Sequence, residues 1–143
     1  MSALFQKAVA VRFNECDGLG HVNNGTYFVY MEEARMEIFE LFNPSLSLAA
    51  WNLIVASARC DFLEQVTYGE RLLVFTWISK IGNSSFSVEH ALQNISGVWV
   101  ARGQAVLLAY DYEAKRPVAL WPAVREALIA HQTPPETAPS LRS

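Results

Sequence analysis

The hydrophobic pattern of the chain changes period once, near residue 50, and that switch limits the fold more than any other feature. Before it, Tyr27, Met31, Ala34, Ile38 and Leu41 recur at helical spacing, and Phe28, Tyr30, Phe39 and Phe42 widen the stripe. The spacing predicts one long helix over about 25–42, capped by Asn23 or Asn24 and stopped by Asn43-Pro44. So wide an apolar face belongs to a helix wrapped on several sides. After the switch the side chains alternate. Residues 51–66 carry Ile54, Ala56, Ala58, Cys60 and Phe62 in period two. Tight turns then lead into strands over 71–80, 84–95 and 98–110. Residues 8–13 read as a short first strand and 122–131 as a short closing helix. This is an α+β order, with the helix packed on an antiparallel sheet.

The strands differ in their faces. Residues 84–95 set Phe86, Val88 and Leu92 against Ser85, Ser87, Glu89 and Gln93, so one side is wet. Leu72 to Ile78 is apolar on both sides. One helix cannot cover both, and the second face is expected to meet another subunit.

Composition sets the remaining bounds. A chain of 143 residues is one domain, and 52% hydrophobic against 17% charged residues excludes a disordered protein. Two cysteines make no disulfide framework. A net charge of −3 argues against nucleic acid as a partner, since duplex binding needs a concentrated basic surface. The first seven residues lack the pattern of a signal peptide, and no apolar run approaches the ~20 residues that span a bilayer. A cytoplasmic protein with no membrane contact is expected. The proline-bearing residues 133–143 are expected to be disordered, leaving a single domain over 1–132.

Chemistry concentrates in residues 14–25. Asp17 lies in a turn-rich loop with Gly18, Gly20 and Gly25, just ahead of the long helix. A carboxylate there can act as nucleophile or as general base toward water. The first amides of a helix lack internal partners and suit a polarised carbonyl. His21 has no histidine or cysteine cluster at metal spacing, and no metal is expected. No nucleophile elbow, phosphate loop or dinucleotide fingerprint is present.

The run Asp17-Gly18-Leu19-Gly20-His21-Val22-Asn23-Asn24, followed by Tyr27 and Glu33-Ala34-Arg35, resembles the signature of the hotdog-fold acyl-CoA thioesterases typified by 4-hydroxybenzoyl-CoA thioesterase. Phe62 through Tyr68-Gly69-Glu70, Gly82-Asn83-Ser84-Ser85-Phe86 and Arg116-Pro117-Val118 are similar to later stretches of that family, with Gln65 where proline is frequent and Trp121 before Pro122 as departures. The resemblance implies a long helix wrapped by a curved antiparallel sheet of about five strands, in dimers with a continuous sheet that often pair into tetramers. It implies hydrolysis of an acyl-CoA by Asp17, with the backbone amide of Asn24 as oxyanion donor and no cofactor beyond the CoA of the substrate. Gly20, His21, Asn23, Tyr27, Ser84 and Ser85 are the candidate substrate contacts. Lys80, Arg102, Lys115 and Arg116 are candidates for the phosphates of CoA, and Glu32 and Glu33 are a lesser alternative to Asp17 as the catalytic acid. A non-catalytic acyl-thioester binder and a hotdog hydratase using Asp17 and His21 are the rival readings.

Overall fold

The computed structural model describes residues 5–143; the expectation for the first seven residues falls partly outside them. Strands β1 (Phe5–Ala10), β2 (Leu53–Phe62), β3 (Arg71–Ile81), β4 (Ser85–Asn94) and β5 (Trp99–Asp111) form one antiparallel sheet in the order β1-β3-β4-β5-β2, and a short β6 (Arg116–Pro117) pairs with β5. Helices α1 (Asn24–Ala34) and α2 (Met36–Phe42) lie across its inner face, and α3 (Pro122–Ile129) closes one end. This is the α+β hotdog arrangement that the resemblance implies.

The helix lies close to the sheet because Gly103 has no side chain. A Cβ there would come within 2.1 Å of Met31 Sδ. Around this contact the core divides in two. Tyr27, Met31, Val66, Val74 and Leu92 fill one half, and Ile38, Phe42, Phe86, Leu107 and Leu128 the other.

The expected single helix is two. It breaks at Arg35, whose N–H is shared between Met31 O and Glu32 O at 3.2 and 3.1 Å. The Arg35 side chain turns inward and is 5% exposed, with Nη1 3.2 Å from His90 Nε2. Arginine can only donate, so His90 carries its proton on Nδ1, 2.9 Å from Thr76 Oγ1.

Two strands also depart from expectation. The first ends at Ala10 because its partner begins at Arg71, and residues 13–15 turn into a short 3-10 helix. The second ends at Phe62, and a bulge between Val55 and Ser57 shifts its phase. Ile54, opposite Leu108, therefore lies on the other face from Ala58, opposite Ala105.

Residues 133–143, expected to lack order, have specific partners across the outer face of the sheet. Thr137 Oγ1 accepts from Trp99 Nε1, Pro139 O from Arg102 Nε, and Arg142 N–H donates to Asp61 Oδ2. Trp77, on the outer face of the doubly apolar stretch, is 4% exposed within this one chain.

Candidate active site

The loop before α1 is held by its own backbone. Asp17 N–H donates to His21 O at 2.7 Å, Gly20 N–H to Asp17 O at 3.0 Å, and Val22 N–H to Val66 O at 2.8 Å. Gly20 supplies the left-handed conformation the turn needs, at φ +80°. The Asp17 carboxylate anchors the turn through one oxygen, Oδ1, which accepts from Leu19 N at 2.9 Å and His21 N at 3.2 Å. Oδ2 takes no hydrogen bond among the described residues and is exposed with the rest of the side chain.

The start of α1 faces the same space. Asn23 caps the helix, its Oδ1 accepting from Gly25 N at 3.1 Å and its O from Thr26 N at 2.9 Å. Asn23 N–H is taken by Glu15 O at 2.9 Å. Among the described residues nothing accepts from the N–H of Asn24, the first helical residue. An unused donor at a helix N-terminus carries partial positive charge toward solvent.

These groups open on a cleft of ≈ 400 Å³, whose walls include Asp17, His21, Asn24, Tyr27, Phe62 and Glu64. Tyr27 is 3% exposed and packs edge-on against Phe62 at 5.1 Å. Burial first, then the neighbouring Cys60 and Glu70, pushes its hydroxyl up to about 12. The phenol therefore stays protonated. Tyr30, one turn on, donates its hydroxyl to Glu15 Oε1 at 2.8 Å and braces the loop from behind.

Of the expected contacts, Asp17, His21, Asn24 and Tyr27 share this cleft, while Gly20 and Asn23 shape its loop and cap. Ser84 and Ser85 do not join them within one chain. They stand at the opposite end of β4, where Ser85 pairs with Leu108, whereas the cleft borders the end of β2 at Phe62 and the residues up to Val66. Arg102 is not available to a phosphate. It is 4% exposed, donates to Glu89 Oε1, His90 O and Pro139 O, and lies over Trp77 at 4.9 Å. Glu32 and Glu33 are exposed on the helix and absent from the cleft lining.

Reading 51–66 as one strand missed Glu64 and Gln65, which line the cleft. The strand stops because Leu63 N and Glu64 N both donate to Val100 O, and the next residues swing toward the loop. With Gln65 where proline is frequent, the sequence lacks the residue that would have marked the break. Among the described residues no three His, Cys, Asp or Glu side chains converge as a metal would require. No helix among them is long and apolar enough to cross a membrane.

A second groove, of ≈ 380 Å³, lies at the other end of β2. Met36, Phe39, Trp51, Leu53, Val55 and Tyr112 line it, with Glu32 at its edge. The free edge of β2 runs between the two hollows.

Comparison with known proteins agrees with this fold. The family model of the thioesterase-like superfamily matches residues 11–128. An uncharacterized Bacillus subtilis protein, YsmA, is 33% identical over 125 residues, covering 87% of this chain and 85% of its own. The solved structure of a predicted thioesterase from Bacillus stearothermophilus superposes with a TM-score of 0.89 at 33% identity, over 92% of this chain and 98% of that one. A thioesterase from Thermus thermophilus, crystallised with coenzyme A and zinc, is also 33% identical, with a TM-score of 0.78 over 87% of this chain and 96% of its own. The chain belongs to the thioesterase-like superfamily.

Proposed function

We propose that this protein is a cytoplasmic acyl-CoA thioesterase, converting RCO–S–CoA and water to RCOOH and HS–CoA. The observation that carries the reading is the pairing, in one cleft, of a carboxylate oxygen without a partner and a backbone N–H without an acceptor. Asp17 Oδ2 either attacks the thioester carbon, giving a mixed anhydride that water then opens, or takes a proton from the attacking water. In both routes the carbonyl oxygen gains charge in the transition state, and the Asn24 N–H receives it. Such a donor contributes roughly 2.7–4 kcal/mol. The C–S bond then breaks and the departing thiolate takes up a proton. CoA enters as part of the substrate, and the route calls on no other cofactor. The coenzyme A held by the similar Thermus thermophilus protein supports CoA as the thiol carrier.

The working unit in this reading is a homodimer. Strand β2 supports it: ten residues long, without proline or lysine, and exposed from Val55 to Arg59. An edge of this kind pairs readily with a second copy. Antiparallel pairing centred on β2 sets Phe62 opposite the partner's Leu53. The apolar groove of one subunit then adjoins the Asp17 cleft of the other. The same pairing carries Ser84, Ser85, Lys80, Lys115 and Arg116 of the partner subunit toward the cleft, where phosphates need cations.

The test is free-thiol release from short, long, branched and aromatic acyl-CoAs. Turnover with any of them supports the enzyme. Saturable binding without thiol release replaces it with a carrier, and hydration of crotonyl-CoA replaces it with a hydratase.

A further inference from the structure

The C-terminal segment crosses the part of the outer sheet face that carries a buried ion pair. Arg102, Glu89 and Trp77 come from three adjacent strands, and their outer side is toward solvent in the sheet alone. Residues 132–143 cross this face and bond to Arg102 and Trp99. The segment leaves β3 where Ile78 N–H donates to His131 O at 2.8 Å, and Trp99 Nε1 reaches Thr137 Oγ1 at 3.3 Å. Pro139 O then takes the Arg102 Nε proton. At β2 the end is clamped: Arg142 N–H donates to Asp61 Oδ2 at 2.7 Å, Arg59 Nη2 to Arg142 O at 2.8 Å, and Arg142 Nη1 to Phe62 O at 3.3 Å.

Each of these bonds is made by a side chain or carbonyl of matching chemistry, spaced over a dozen residues. Three prolines, Pro134, Pro135 and Pro139, restrict the backbone of the segment and lower the entropy lost on docking. Beside the strip it crosses, Phe75, Val106, Leu108 and Tyr110 remain half-buried on the same face. Without the segment this face exposes Trp77 and Trp99 with those side chains, flanking the polar row Ser85, Ser87 and Glu89 of β4.

We propose that residues 133–143 are a built-in occupant of the outer sheet face, which holds that face closed to a second copy of the chain. The competitor is the outer face of a second copy, met across a twofold axis. The tethered segment prevails because attachment gives it an effective concentration in the millimolar range, far above that of free protein. Pairing through β2 uses the strand edge, which the strap meets only where Arg142 Nη1 donates to Phe62 O, so the strap acts on growth beyond the pair. The inference does not rest on the thioesterase reading.

Light scattering on the full chain and on a chain ending at Gln132 tests it across a hundredfold range of concentration. The shortened chain is expected to reach about twice the mass of the full chain. A peptide of residues 133–143, added at millimolar concentration, is expected to reverse the increase. Equal masses at every concentration, from a shortened chain with native near-ultraviolet dichroism, overturn the proposal. Should the shortened chain not fold, the full-length Thr137→Val/Arg142→Ala variant decides: a concentration-dependent rise in mass supports the strap, and an unchanged mass overturns it. Thiol release, measured alongside, reports separately on the thioesterase reading.

Discussion

The two hollows beside β2 are built by opposite means. At the Phe62 end the cleft is made by backbone: an aspartate turn, a capped helix start and two isolated bridges, Cys16 to Val22 and His21 to Thr67. Its reactive groups are what local hydrogen bonding leaves over, one carboxylate oxygen and one N–H. At the Leu53 end the groove is made by packing, with Trp51 edge-on to Phe39 at 5.3 Å. Nothing there is poised to react. In the proposed function chemistry resides where backbone groups are uncommitted, and the apolar end is offered as surface for an acyl group. Variants that affect one end alone separate the two roles.

Among variants that keep the Asp17 carboxylate, Asn24→Pro has the largest expected effect. Proline is tolerated at the first helical position, and Asn23 already has the extended φ −61°, ψ 138° that precedes a proline. The helix should persist without the free N–H. Turnover is expected to fall roughly 10²–10³-fold, with the thermal midpoint nearly unchanged. Loss of stability in step with activity would remove the distinction between the ends.

Gly103→Ala acts between them. Its Cβ meets Met31 Sδ, so helix and sheet must part, at a cost of about 1–3 kcal/mol in denaturant unfolding. Both hollows should suffer alike.

His90 lies beneath the same seam. Burial first, then the charges of Arg35 and Arg102, holds its pKa well below the ordinary histidine value. The unfolded chain thus binds this proton more readily than the folded one. The stabilisation is complete above about pH 6.5 and declines as pH falls, by up to about 1.4 kcal/mol per pH unit. Unfolding midpoints between pH 7 and 5 should show that slope, and His90→Gln should flatten it.

The smallest effect is expected at the apolar end. Trp51→Ala should raise KM for bulky acyl groups by about three- to tenfold while kcat changes little. A comparable loss in kcat would place Trp51 in the chemistry and dissolve the division.

The sequence made the polar end legible because its signals are local. Asp17-Gly18, Gly20 and Asn23 each act within four residues, and turn and cap rules capture them. The apolar end was hidden, because Trp51, Met36 and Tyr112 come together only through sheet pairing. The helix break was also hidden: Arg35 turns inward to His90, 55 positions along the chain. At Trp77 the pattern implied a second subunit on that face; within this chain the indole lies under the Arg102 guanidinium, which donates to Pro139 O.

Asp17→Asn is the closest test of the chemistry. Asparagine Oδ1 can still accept from Leu19 N and His21 N, so the loop and cleft should keep their shape. The measurement is free-thiol release from the best acyl-CoA of the panel, with circular dichroism and light scattering confirming the same folded assembly. A fall in turnover of about three orders of magnitude or more at unchanged fold is the expected result. Undiminished turnover from a correctly folded variant would contradict the role of Asp17 and, with it, the proposed mechanism.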